Sequence, residues 1–271
     1  MISLRSLQIF VGLNALVSFC AYLQYVLLTA VGFHPFATLL SIFLKTFVVL
    51  GSLERVTKNK PFLIQDGIPR TQTFVLSEFV CTYSLETASF LCAISFCTPG
   101  HSLVGELLYF VPRSFVYELL FDLFHYSAHR LLHTVPFLYK HIHKTHHEHM
   151  LMNSYTTFHH TVLDLCITNF LPIICASYLF PVPRFTLAML FWYKTILEVS
   201  GHTGKHTSSS FVQCIYLPRV LSISLYSSDH TLHHINPNVN FSKRFSIWDK
   251  VFGTYKPLGT FTEFGFSAKR R

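Results

Sequence analysis

Residues 7–31 read LQIFVGLNALVSFCAYLQYVLLTAV and contain no charged side chain. An α-helix needs roughly 20 mostly apolar residues to cross the hydrocarbon core of a bilayer, and this segment exceeds that length. It is too long for the core of a signal peptide, and no small-residue cleavage site follows it. The segment therefore predicts a transmembrane helix.

Further apolar stretches continue this pattern along the chain. They occupy residues 35–53, 74–97, 103–124, 162–180 and 184–199. The sequence Pro181-Val182-Pro183 separates the last two stretches and predicts a membrane hairpin over 162–199. Glu78, Glu86 and Arg113 would be costly against lipid, so their helices should turn them toward protein or a cavity. We expect an all-α integral membrane protein with four or more transmembrane helices.

The composition supports a membrane protein. Hydrophobic residues make up 51% of the chain and charged residues only 13%, which is too apolar for an ordinary soluble domain. The formal charge of +8 is spread over short loops and the C-terminus, which suits an anionic membrane surface and predicts no nucleic-acid partner.

The distribution of basic residues predicts the orientation. Arg5, the 54–70 loop and the tail at 269–271 carry basic side chains, which favours the cytoplasmic side for all three and for the 125–160 region. We expect one membrane domain over 1–271. Residues 1–120 would be mainly transmembrane, and about 121–255 would form a region with a histidine-rich helical cap on the cytoplasmic side.

Eleven of the 17 histidines fall in four clusters. These clusters are His125, His129 and His133; His143, His146 and His147; His202 and His206; and His230, His233 and His234. Spacings of three and four place side chains on one face of a helix. One such pair is a weak signal, but four clusters together strongly indicate metal binding.

Imidazole is a good ligand for iron, copper, nickel and zinc. A catalytic zinc needs about three protein ligands, whereas the clusters supply enough donors for two metals. Two adjacent redox metals can split dioxygen and attack an unactivated C–H bond. The predicted ligands are His129, His133, His143, His146, His147, His202, His206, His230, His233 and His234. His125 and His160 are expected to support them by hydrogen bonding.

These motifs resemble the fatty acid hydroxylase superfamily, which includes sterol desaturases, 4-methylsterol oxidases and cholesterol 25-hydroxylase. The resemblance covers about residues 121–255. It is carried by HRLLH at 129–133, HKTHH at 143–147, GHTG at 201–204, HTLHH at 230–234, Asn240-Phe241, and WDKVFGTY at 248–255. The resemblance implies that the histidines of these motifs bind two irons, and that Asp164 and Asn240 orient ligands.

The chain departs from the family pattern at two places. Thr161 stands where many relatives have a histidine, with His160 one residue earlier, while Asp164 keeps the acid that usually follows. Thr231 stands where several relatives have an aspartate. Both differences bear on which substrate branch of the superfamily the chain resembles, and they leave the predicted metal ligands unchanged.

The resemblance also implies a multi-pass protein of the endoplasmic-reticulum membrane, dioxygen as oxidant, and electrons from NAD(P)H through a cytochrome b-type donor or a reductase. The substrate would be a lipid. The short chain without a fused haem domain favours a sterol, and a fatty-acyl substrate is the alternative.

Three other functions remain open at this point. A zinc-dependent membrane hydrolase would need about three ligands and a carboxylate base. A metal transporter would place its ligands at mid-bilayer on broken helices. A non-catalytic relative would keep the histidines for structure alone.

Overall fold

The computed structural model describes residues 4–63, 73–100, 102–149, 152–207, 211–214 and 216–257. Arg70 and the basic tail at 269–271, on which part of the orientation prediction depends, lie outside these ranges. Within them the chain is helical, and the only β-structure consists of isolated bridges, such as Phe62 with Lys205. The predicted all-α class is confirmed.

Five helices form the first half of the molecule. They are α1 (Leu4–Ala30), α2 (Pro35–Thr57), α3 (Leu76–Ile94), α4 (Leu103–Leu108) and α5 (Phe110–Thr134). The helix predicted over 103–124 is instead broken at Tyr109 and continues to residue 134. The Ser102 hydroxyl accepts a hydrogen bond from the N–H of Gly105 at 3.2 Å and caps α4.

The second half is more irregular. Its α-helices are α6 (Pro136–Leu138), α7 (Val162–Leu165), α8 (Leu171–Leu179), α9 (Arg184–His202), α10 (Tyr216–Val220), α11 (Ser227–Ile235) and α12 (Ile247–Val251). Tyr139–His143 and Cys166–Phe170 are π-helical, and His146–Glu148 and Ser154–Phe158 form 3₁₀ turns. Residues 162–179 are thus helical without interruption, with a π-turn between α7 and α8.

Three helical segments of the described chain are long and apolar enough to cross a membrane, judged by length and composition. They are Phe10–Ala30, Pro35–Thr57 and Val162–Leu179. Large apolar side chains such as Leu27 on α1 and Phe36 on α2 are more than two-thirds exposed at 68% and 69%, which suits a surface that faces lipid. The other long helices, α3, α5 and α9, carry buried charged side chains. These features indicate a multi-pass membrane protein.

Helix α9 lies at the centre of the bundle, against α1 and α2. Its residues Leu187, Met189 and Tyr193 are fully buried. The Tyr193 hydroxyl donates a hydrogen bond to Oδ1 of Asn14 at 2.5 Å, which ties α9 to α1. Helix α8 packs mainly against α5, so the two arms of the predicted 162–199 hairpin lie against different helices.

A chain of buried ion pairs crosses the bundle, and we call it the ionic chain. Lys45 on α2 lies 2.7 Å from Oε1 of Glu86 on α3. Lys194 on α9 bridges Oε2 of Glu86 at 2.9 Å and Oε2 of Glu198 at 2.8 Å. Lys243 lies 2.9 Å from Oε1 of Glu198. Glu86, whose charge would be costly against lipid, therefore faces protein as predicted, where paired charges are tolerated.

Candidate metal centre

Five imidazoles from four segments form the first histidine group. One nitrogen of each lies within 4.8 Å of the others, and the members are His129, His133, His143, His147 and His233. The Nε2 atom of His143 lies 3.0 Å from that of His129 and 3.1 Å from that of His147. With metal–nitrogen bonds of about 2.1 Å, neighbouring ligands of an octahedral ion would stand about 3.0 Å apart, so this spacing fits one ion.

Four further imidazoles form the second histidine group, and they are His146, His202, His230 and His234. The Nε2 atoms of His202 and His230 lie 3.0 Å apart. His234 is buried, and neither of its ring nitrogens has a hydrogen-bond partner among the described residues. A buried polar group without a partner needs an explanation, and a metal ion at this position supplies one.

The two groups are adjacent. The rings of His147 in the first group and His234 in the second are stacked with centroids 4.6 Å apart. On α11, His233 belongs to the first group whereas His230 and His234 belong to the second. One HxxHH motif therefore contributes to both groups, which suits two neighbouring metal ions.

Hydrogen bonds fix the ring orientation in both groups. Nδ1 of His129 lies 2.8 Å from the carbonyl oxygen of Phe241, and Nδ1 of His202 lies 2.8 Å from that of Glu198. Nδ1 of His233 makes the same contact at 2.7 Å with a backbone carbonyl. A carbonyl oxygen only accepts, so the proton is on Nδ1 and each Nε2 presents its lone pair.

Burial lowers the pKa of several imidazoles in both groups. It lowers the pKa of His146, His147 and His234 well below the usual imidazole range, and neighbouring histidines add to this effect. Burial likewise lowers the pKa of His233 to about 3. These four side chains are therefore in the ligand form at neutral pH, because only the unprotonated ring binds a metal.

Asp164 orients a member of the first group. Its Oδ1 lies 2.8 Å from Nδ1 of His143, and its Oδ2 lies 2.7 Å from Nδ1 of His160. The His160 ring in turn stacks on His146 at 4.0 Å. The Thr161 hydroxyl caps the helix of Asp164 and donates to a backbone carbonyl beside His143 at 2.8 Å. The threonine that departs from the family pattern thus supports the same carboxylate.

Two buried carboxylates hold the segment 241–245 against the centre. Asp122 on α5 accepts hydrogen bonds from three N–H groups of this segment at 2.7–2.9 Å. Asp249 on α12 accepts two others at 2.8 and 2.9 Å. Together they fix the carbonyl of Phe241 that contacts His129.

Asn240 precedes this segment and has a positive φ of 56°, a conformation that asparagine tolerates better than most residues. Its Nδ2 donates to the carbonyl oxygens of Asp229 at 3.2 Å and Lys256 at 3.0 Å. Its Oδ1 accepts from the N–H of Lys256 at 2.8 Å. Asn240 therefore acts as a structural tie beside the ligands.

Of the ten predicted ligands, one lies outside both groups, and so does His125, which was predicted to support them. His206 is exposed, and its ring is stacked with Tyr226 at 6.4 Å rather than turned to the other histidines. We therefore leave it out of the proposed ligand set. His125 is buried beside His129, with its Nδ1 2.7 Å from the carbonyl oxygen of Thr168.

The second motif differs in local structure from the regular helix that its spacing suggests. The N–H of Lys144 donates to the carbonyl of Tyr139 at 2.8 Å, which makes a wide π-turn, and a tight 3₁₀ turn follows at His146–Glu148. This change of pitch sends His143 and His147 to the first group and His146 to the second.

Among the supporting contacts, the sequence interpretation named Asp164 and His160 but missed Asp122 and the backbone carbonyls. Asp122 could have been found, because it continues the stripe of His125 and His129 along one face of α5 at spacings of three and four. The backbone carbonyls of Phe241 and Glu198 carry no such signal, because any residue has one.

Residues 114–254, which are 141 of the 271 residues, match the family model described as fatty acid hydroxylase. The chain is 31% identical over 153 residues to sphinganine C4-monooxygenase 2 of Arabidopsis thaliana, covering 54% of this chain and 56% of that protein. It is 30% identical over 156 residues to cholesterol 25-hydroxylase of Homo sapiens, covering 56% and 54%.

The chain is also 29% identical over 135 residues to the Delta(7)-sterol 5(6)-desaturase of Leptosphaeria maculans, covering 50% of this chain and 34% of that protein. It thus spans about half, or less, of the length of these relatives. No solved structure matches the chain.

Proposed function

The chain belongs to the fatty acid hydroxylase family, and we propose that it is a membrane-bound oxidoreductase that holds two irons and oxidises a lipid with dioxygen. In hydroxylation, one oxygen atom would enter a C–H bond and the other would leave as water, with two electrons and two protons from a donor. In desaturation, two hydrogens would leave the lipid and both oxygen atoms would end as water with the same electron supply.

The observation that carries this proposal is the pair of adjacent histidine groups. Together they offer nine imidazoles and no carboxylate. Bound iron would supply dioxygen activation and oxidation of an unactivated C–H bond, chemistry that no side chain provides. The chain's own residues hold the ring positions, keep the ligands unprotonated and exclude water through burial of both groups.

Two features speak against the rival functions. A zinc hydrolase needs a free carboxylate base beside a three-ligand site, but Asp164 already accepts from His143 and His160. A transporter would have ligands within the spans, but the nine grouped histidines lie outside the three candidate membrane spans.

We further propose an endoplasmic-reticulum location with the metal centre on the cytoplasmic side. Electrons would come from NAD(P)H through a cytochrome b-type donor or a reductase. Exposed Lys140 and Lys144 flank His143 in the chain and would suit an acidic donor protein.

The proposed substrate class is a sterol, with a fatty-acyl lipid as the second candidate. Support comes from the names of the relatives, which describe enzymes of sterols and of sphinganine. Both hydroxylases and a desaturase occur among them, so the same site is compatible with either outcome.

The experiment compares lipids from cells that express the wild-type chain with lipids from cells that express His147→Ala, under heavy-isotope dioxygen. We expect a lipid that carries one heavy oxygen, or a new double bond, only with the wild type. If both extracts are identical although the wild-type protein is folded, loaded with metal and supplied with a reductase, the oxygenase proposal is wrong.

A further inference from the structure

Four large apolar side chains at the ends of the short helices α10 and α12 are exposed. They are Val220, Leu221, Val251 and Phe252. The exposed fraction reaches 80% for Val220 and 64% for Val251. The Lys250 ammonium donates a hydrogen bond to the carbonyl oxygen of Ser222, which places the two apolar pairs on neighbouring parts of the surface. We call these four side chains the apolar patch.

The turn that follows α10 is held in one conformation. The N–H of Leu221 donates to the carbonyl oxygen of Leu217 at 3.1 Å, and the N–H of Ile223 donates to that of Pro218 at 2.8 Å. Between them Ser222 has a φ of 55°, a left-handed conformation that is uncommon for a residue other than glycine. A constrained turn that keeps apolar side chains on the outside suggests that they contact something.

The exposed charges in this part of the chain are basic. In the described stretch 216–257 the acidic residues are Asp229 and Asp249, and both are buried. Arg219, Lys250 and Lys256 are exposed. A surface that combines apolar and basic side chains fits a partner that is both apolar and negatively charged, as an anionic lipid surface is.

Helix α10 lies beside the end of a candidate membrane span. The rings of Tyr216 on α10 and Phe10 on α1 have centroids 6.1 Å apart, and Nδ2 of Asn14 donates to the carbonyl oxygen of Val212 at 3.2 Å. Phe10 is the first residue of the candidate span Phe10–Ala30. The end of a span lies where the hydrocarbon core meets the headgroups, so α10 lies close to that level.

The apolar patch is also connected to the metal centre. The carbonyl oxygen of Ile223, directly after the turn, accepts a hydrogen bond from the N–H of Ser246 at 2.9 Å. Ser246 follows the segment 241–245, in which the carbonyl oxygen of Phe241 lies 2.8 Å from Nδ1 of His129. A contact between the patch and the bilayer would therefore fix the position of the first histidine group relative to the membrane surface.

We propose that the apolar patch inserts into the bilayer interface beside α1, and that Arg219 and Lys250 bind anionic phospholipid headgroups. The bilayer is favoured over a soluble partner because α10 lies next to the end of a candidate span. The inference rests on the membrane location of the chain and not on the proposed reaction. Its test therefore needs no turnover.

The test places a fluorescent reporter in the patch of the full chain. Val220→Trp is reconstituted in nanodiscs of phosphatidylcholine with about 30% phosphatidylserine, with acyl chains brominated close to the headgroups. Bromine quenches tryptophan at short range, and the emission of the native Trp192 and Trp248 is subtracted with the wild type. We expect bromine to remove most of the added emission and aqueous iodide to remove little of it.

Two further variants calibrate the measurement. Leu27→Trp is the reference for lipid, because Leu27 is exposed on the candidate span Phe10–Ala30. Lys58→Trp is the reference for water, because Lys58 is exposed directly after α2. The Val220→Trp reporter should resemble the first reference in its response to bromine. If this variant does not fold, Val251→Trp carries the same test.

A second measurement compares the two headgroups at the reporter. Bromine is placed either on phosphatidylserine or on phosphatidylcholine at equal mole fractions, and we expect stronger quenching of Val220→Trp by the anionic lipid. Adding Arg219→Gln should lower this preference about fivefold, whereas the charge-conserving Arg219→Lys should keep it within about a factor of two.

Emission that iodide removes and bromine spares would overturn the inference and assign the patch to the aqueous side, where a soluble protein could bind. Emission that both quenchers spare would also overturn it, because protein, such as a second copy of the chain, would then cover the patch. Equal quenching by the two brominated lipids would contradict the binding of anionic headgroups.

Discussion

The variants His233→Ala and His234→Ala are each expected to lower the rate of lipid oxidation by more than about 100-fold. Groups that only orient metal ligands cost up to about that much when removed, and these two side chains are the proposed ligands themselves. The pair is informative because the two residues are neighbours on α11 but belong to different histidine groups. In the proposed two-iron centre both metals serve one reaction, so the double variant should be no worse than either single variant.

The control for this prediction is His206→Ala. His206 is exposed and lies outside both groups, so its removal should leave the rate within about a factor of two. The measurement is product formation per folded protein in reconstituted membranes. A loss with His206→Ala as large as that with His233→Ala would show that the assignment of ligands is wrong.

The variant Glu86→Gln is expected to destabilise the protein by about 3–5 kcal/mol, because it leaves Lys45 buried without a carboxylate. Lys194 would keep its second partner, Glu198, at 2.8 Å. Lys45 would keep only neutral acceptors, the amide oxygen of the new glutamine and the carbonyl of Phe191 at 3.0 Å, and no counter-charge. The measurement is reversible unfolding in detergent micelles.

The double variant Lys45→Met/Glu86→Gln measures how much of the stability comes from the interaction between the two charges rather than from each side chain alone. Removing both charges takes away the unpaired lysine, so we expect the double variant to be more stable than Glu86→Gln alone by roughly 2 kcal/mol. If the effects of the two single variants simply add, the ion pair is not coupled and the ionic chain does not contribute to stability as described.

The class of fold could be predicted from the sequence because the apolar stretches are long and clearly bounded. Residues 7–31 and 35–53 correspond closely to α1 and α2. The break at Tyr109 and the packing of α8 on α5 could not be predicted, since tertiary partners decide both. The apolar pattern of 162–199 is the same whether its two arms pack on each other or on other helices.

The sequence could predict nearly all of the histidines that form the two groups, but it could not predict which group each histidine joins. Spacing alone places His143, His146 and His147 together, yet the π-turn and the 3₁₀ turn assign His146 to a different group from the other two. His206 has the same four-residue spacing from His202 as other members have from each other. It lies beyond the end of α9 at residue 202, so the helical spacing no longer determines where its side chain points.

The buried charges were the least predictable part of the site. Glu86 was identified as costly, but its partners lie 41 and 108 residues away along the chain. No local pattern connects Lys45, Glu86 and Lys194. Their pairing follows from the position of α9 between its neighbours, which only the folded structure provides.

The most direct test of the account is the metal content of purified, folded protein, measured by elemental analysis for the wild type, His146→Ala and the control His206→Ala. Two adjacent groups of five and four imidazoles predict about two irons per wild-type chain, a clear loss in His146→Ala and no change in the control. One zinc per chain, or the same metal content in His146→Ala as in the wild type, would contradict the two-iron centre.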